Sequence, residues 1–107
     1  MATSATIPIT VTPEAAARVA ELGMQRELDQ MLQHTLQTVS GLQAIEVQLE
    51  LPYDTGDETT ITIEATRDKP DLVMNATWEK WRDWKISTFP PEVWSRFRLS
   101  TVYGPVP

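Results

Sequence analysis

Two strictly alternating segments constrain this chain more than any other feature. In "LQAIEVQLEL", Ile45, Val47, Leu49 and Leu51 leave one side while Glu46, Gln48 and Glu50 leave the other, and "TTITIEATR" repeats the pattern with Ile61, Ile63 and Ala65. A period of two is that of a half-buried strand, because successive side chains project from opposite faces of a sheet. Between the two stands "PYDTGDE", whose Pro, Asp and Gly favour a turn, so the pair reads as a hairpin. Strands that are apolar on one side only call for an antiparallel sheet covered on a single face.

Helices supply the cover. In "TPEAAARVAEL", Thr12 can cap, Pro13 fits the first helical position and Glu14 favours the positive end of the helix dipole. The helical pattern runs to about Ser40, where Gly41 supplies a left-handed stop. Advancing each position by ~100° places Ala17, Ala20, Met24, Leu28, Met31, Leu32, Thr35 and Val39 on one broad face, with Val19 and Leu22 nearly opposite. Either the helix breaks or bends at Gly23, which costs about 1 kcal/mol relative to alanine, or its first half has two apolar faces and touches a second partner. A second helix is expected from about Asn75 or Thr77 to Thr88, since Pro90 disfavours helix at Phe89. "KPD" ahead of it reads as a loop, "PEVWSRF" as a short turn opening at Pro91, and "RLSTVYG" as a last alternating strand. Near the start, Ile7, Ile9 and Val11 alternate, but Pro8 cannot donate a ladder hydrogen bond, so this segment is an edge strand or merely extended.

The expected fold is therefore α+β, one domain over residues 1–107, built as a two-layer sandwich. Its antiparallel sheet has three or four strands, with two helices on one face. The order strand, helix, strand, strand, helix, strand matches the ferredoxin-like βαββαβ pattern. That fold places the first strand in the centre, where Pro8 counts against it. A chain of 107 residues sustains a single hydrophobic core.

A net charge of −6 argues against a general binder of nucleic-acid backbones, which needs Lys and Arg to neutralise phosphates. The sign is uneven: residues 1–66 hold two basic and ten acidic side chains, residues 67–107 seven basic and five acidic. Such asymmetry suits a partner of opposite sign, or self-complementarity within one fold or across a homodimer. The lack of cysteine removes disulfides, thiolate metal sites and a cysteine nucleophile. No basic n-region precedes an apolar stretch, and no apolar run approaches the ~20 residues of a membrane helix, so a soluble cytoplasmic protein is expected.

"ITVTPEAAARVAEL" resembles the opening of A-type iron–sulphur carrier proteins, over that stretch alone. Those carriers hold iron or a cluster through cysteines further along, and this chain has none to match, so no function or cofactor is carried over. Asp54-Thr55-Gly56 in "YDTGDET" resembles the catalytic triplet of retroviral-type aspartic proteases, in which two such loops face each other and the paired carboxylates share one proton. Those proteases are almost wholly β and carry a second apolar-Gly motif not found here; a hairpin turn rich in Asp and Gly is the plainer reading. Asp54, Asp57 and Glu58 are too closely spaced for a calcium loop of the EF-hand kind and read as a solvated acidic turn. His34 lies among Gln30, Gln33 and Gln37 without any triad context and reads as a surface helix residue. The four glycines, at 23, 41, 56 and 104, form no phosphate loop.

In "TWEKWRDWK", Trp78, Trp81 and Trp84 spread over ~120° of a helix, the width of a core stripe, to which Trp94 and Phe97 add further along. Lys80, Arg82, Lys85, Arg96 and Arg98 lie among these aromatics. Trp and Arg dominate interface hot spots, and basic residues interleaved with aromatics also stack on single-stranded nucleic acid. The rings read mainly as core, with Trp84 the exposed one.

The functional expectation is a non-enzymatic interaction protein or accessory subunit. It would pair, as a homodimer or with another protein, through the overhanging first helix or through the basic aromatic C-terminal surface against an acidic partner face, with Val19, Leu22, Trp84 and Trp94 as the residues involved; neither a membrane nor nucleic acid is expected as partner. The alternative is a small-molecule-binding domain or small enzyme with a cleft between sheet and helices, using Asp54, Asp57 and Tyr53 or Tyr103 as polar groups. No catalytic residue, metal ligand or cofactor is assigned.

Overall fold

The computed structural model describes residues 7–50, 59–69, 71, 73 and 75–103. In chain order the elements are β1 (Ile9–Val11), α1 (Pro13–Leu22), α2 (Gln25–Thr38), β2 (Leu42–Glu50), β3 (Thr60–Arg67), α3 (Ala76–Thr88), α4 (Pro91–Trp94) and β4 (Phe97–Tyr103). Both alternating segments are strands, and they pair antiparallel with Val47 opposite Ile63 and Leu49 opposite Ile61.

The four strands lie in the order β1-β2-β3-β4. β1 runs parallel to β2, with Ile9 opposite Ile45, and β4 runs parallel to β3, with Phe97 opposite Ile61. The sheet is therefore mixed, not antiparallel as the alternation alone implied. β1 lies at an edge, so the ferredoxin-like arrangement with a central first strand is not adopted. The physical reason is the connections. β2 and β3 follow one another with no helix between them among the described residues and pair antiparallel, whereas helices carry the chain back to the starting end before β2 and before β4, as a parallel crossover requires. Alternation records which face of a strand is buried, not the direction of its neighbour.

The continuous helix resolves into two. Gly23 is left-handed (φ 67) and closes α1: its N–H reaches the carbonyl of Ala20 while that of Met24 reaches Val19, the double bond of a Schellman stop. At the other end the Thr12 hydroxyl accepts from the Ala15 N–H at 3.2 Å. The break resets the helical phase. α1 buries Ala15 and Val19 and leaves Ala17 and Ala20 exposed, so Val19, assigned by a single stripe to the far side, faces the core.

All the helices add to one side of the sheet. Ala15 and Val19, Leu28 and Met31, and Trp81 meet Ile45, Val47, Ile61, Ile63, Phe97 and Leu99 in one buried cluster. Residues of opposite parity carry the polar face, where Glu46 stands across from Glu64, and Thr62 lies between Gln48 and Arg98.

Candidate functional site

α3 positions the site, and its own anchoring shows how. Trp78, Trp81 and Lys85 fall at spacings of three and four, one face of a helix. Trp81 is 2 % exposed, and its indole N–H donates to the Thr35 hydroxyl of α2 at 3.0 Å. That hydroxyl in turn donates to the Met31 carbonyl at 2.7 Å. Trp78 donates its indole N–H to the Leu99 carbonyl at 3.0 Å, and the Lys85 ammonium donates to the Phe97 carbonyl at 2.7 Å. Because Ile61 N–H bonds to the Arg96 carbonyl, the even-numbered residues of β4 serve β3, and the Phe97 and Leu99 carbonyls point to the free edge of the sheet. α3 thus closes over that edge. Burial, with Arg82 nearby, pushes the Lys85 ammonium pKa below its ordinary value, and the rings of Trp81 and Trp94 lie 5.6 and 5.7 Å from its nitrogen.

The adjoining face of α3 carries Trp84, which stacks on His34 of α2 with ring centroids 3.7 Å apart and planes within 3°. Phe89 meets the same indole edge-on at 5.5 Å. Partial burial lowers the His34 pKa, favouring the neutral imidazole.

Between α2 and α3 opens a cleft of about 760 Å³. The His34–Trp84 stack and Trp81 form its aromatic wall, Arg67, Asp71 and Thr77 its floor, and Lys69 and Lys80 add two more positive charges. Arg67 is 2 % exposed. Its Nε and Nη2 donate to the Ser40 carbonyl and hydroxyl at 2.9 and 3.1 Å. Nη1 lies 3.0 Å from the Asp71 carboxylate, an ion pair without hydrogen-bond alignment. Asp71 also accepts from the Thr77 hydroxyl and backbone N–H at 2.6 and 2.8 Å. Thr77 first, and Arg67 after it, hold the carboxyl below its ordinary range. Asp71 also satisfies a backbone donor at the start of α3, where Asn75 stands left-handed (φ 63) and makes no side-chain cap bond.

Val19, 2 % exposed inside the core, offers no face to a partner; Leu22 packs half-buried against that core. Trp84 lines the cleft, and Trp94 lies half-buried beside Lys85, outside it. Tyr103 is exposed at the end of β4, its hydroxyl 3.4 Å from that of Thr101, and does not line the cleft. Tyr53, Asp54 and Asp57 lie outside the described residues. The cleft is built from Arg67, Lys69, Asp71 and His34, which sequence reasoning did not join. One signal was present: Arg67 continues the inward phase of Ile61, Ile63 and Ala65.

Among the described residues no helix is long and apolar enough to cross a membrane, and no three His, Cys, Asp or Glu side chains group to hold a metal ion. No family model matches the chain, and no significant match was found among curated proteins or solved structures.

Proposed function

We propose that this protein binds a small organic molecule in the cleft between α2 and α3. The observation that carries the reading is the convergence, in a cavity of about 760 Å³, of a stacked aromatic wall with a charged floor. Ligand sites typically span ~300–1,000 Å³ and combine apolar walls with a few fixed polar groups. The anchoring of α3 supports it: a wall held along its length by side-chain hydrogen bonds from Trp78, Trp81 and Lys85 is preorganised for binding. A screen of small fragments followed by NMR tests it. The expected result is that binders move the indole N–H resonance of Trp84 and the signals of His34, leave that of Trp94 in place, and lose affinity on Trp84→Ala. A screen in which no fragment moves Trp84 or His34 would sink the reading.

A second reading, association between copies of the chain, is favoured by β1. Ile45 N–H bonds to the Pro8 carbonyl and Thr12 N–H to that of Val47, which turns the N–H and C=O groups of Ile9 and Val11 outward. The two residues are 39 % and 36 % exposed. Light scattering across a range of concentration and salt tests it. A dimer that persists on dilution and is abolished by Val11→Lys supports pairing at this edge; a monomer at every concentration removes it.

A further inference from the structure

Building on the ligand-binding reading, we infer that the cleft selects an organic anion, a flat ring carrying a carboxylate or phosphate group. The charges decide the sign. Of the side chains lining the cleft, Arg67, Lys69 and Lys80 are cationic and Asp71 alone is anionic. Arg67 and Asp71 neutralise each other at 3.0 Å. Lys69 and Lys80 enter no ion pair among the described residues and stand exposed. The cleft therefore holds two uncompensated positive charges in a chain whose net charge is −6. A concave site whose sign opposes that net charge concentrates an anion locally.

The remaining lining sets the shape of the body that accompanies the anionic group. Trp84 and the ring of His34 present planar ring surface, and Val73 and Ala76 extend it; Trp81, 2 % exposed, contributes little. Rings prefer offset or edge-on contact with other rings, which a flat ligand supplies and a branched aliphatic one does not. The Arg67 guanidinium is buried, tied through Nε and Nη2 to Ser40 and charge-paired through Nη1 with Asp71, so the two exposed lysines are the groups that meet the ligand's charge. Lysine acts there as a mobile point charge and accepts either a carboxylate or a phosphate.

Four probes sharing one ring system distinguish the outcomes: 2-naphthoate, 2-naphthyl phosphate, 2-naphthamide and 2-naphthylmethylammonium, each titrated against the full chain with the Trp84 and His34 signals as readout. The expected order places one or both anions at least tenfold tighter than the amide, with the ammonium weakest; whichever anion leads names the head group. In the Lys69→Met/Lys80→Met variant, whose exposed positions leave the core intact, the anion advantage should fall to within twofold while amide binding stays unchanged. An amide that binds the unmodified chain as tightly as the naphthoate overturns the anion assignment and leaves the ligand-binding reading standing. An anion preference that survives the double variant overturns the role of the two lysines. If none of the four moves Trp84 or His34, and the fragment screen is likewise silent, both readings fall together.

Discussion

Two buried cations hold α3 in place, and they do so differently. Arg67 works as a charge: it is 2 % exposed, and Asp71 compensates it. Removing one partner of such a pair leaves an uncompensated charge inside, so Asp71→Ala should cost about 2 kcal/mol, read from the urea midpoint. Because the Asp71 carboxyl is held below its ordinary value of 3.8, its contribution is present above that pH and lost as pH falls through the lowered value. The variant should accordingly show a flatter acid limb than the parent. Lys85 works as a donor, spending its ammonium on one strand carbonyl. His34 adds a titration nearer neutrality. Its pKa lies below the ordinary 6.5, so the neutral ring favours the fold above that pH, and this contribution is lost as pH falls through the lowered value. Melting temperature should drop over that window in the parent and less so in His34→Gln; equal slopes would mean that protonation does not disturb the stack. None of these roles was legible from residue type alone. His34 in a run of glutamines has the composition of a solvated surface, and only the approach of α3 converts it into a ring partner.

At the scale of elements, the sequence was most informative where chemistry is local. Thr12, Pro13 and Gly23 mark the ends of α1, Pro90 follows the end of α3, and the alternating faces of β2 and β3 are as the period of two requires. Direction and partnership of the edge strands were not legible, because parallel and antiparallel neighbours bury the same alternating side chains. The two left-handed glycines separate backbone strain from crowding. A Cβ at Gly23 would meet nothing nearby, whereas at Gly41 it would collide with the Asp68 carboxylate. Gly23→Ala should therefore cost about 1 kcal/mol from its φ alone, and Gly41→Ala, where the exposed Asp68 side chain can swing aside, a similar amount that Asp68→Ala leaves nearly unchanged in denaturant titrations. The guarded edge of β4 makes a separate prediction. Trp78 and Lys85 occupy two of its outward carbonyls, and an unguarded edge is a template for another strand. Trp78→Phe combined with Lys85→Met should introduce concentration-dependent association visible by sedimentation; unchanged sedimentation would show that the carbonyl caps do not protect this edge.

Across the whole molecule, the sheet divides the two chemistries: helices and cleft on one face, Glu46, Glu64, Gln48, Thr62 and Arg98 on the other. The charge asymmetry along the chain has a spatial counterpart, since the cationic residues 67, 69 and 80 converge on the cleft while Glu46 and Glu64 face away. The topology carries a kinetic consequence. The central hairpin joins Leu49 to Ile61, twelve positions along, but Ile9 must find Ile45 and Ile61 must find Phe97, a separation of 36 in each case. Closing a chain loop costs entropy that grows with its length, so the hairpin is the cheapest nucleus and the two outer strands face equal searches. Neither edge has a head start. Folding should then branch after the hairpin forms, with Val47→Ala slowing the folding rate while Val19→Ala and Leu99→Ala act mainly on unfolding, each on its own branch.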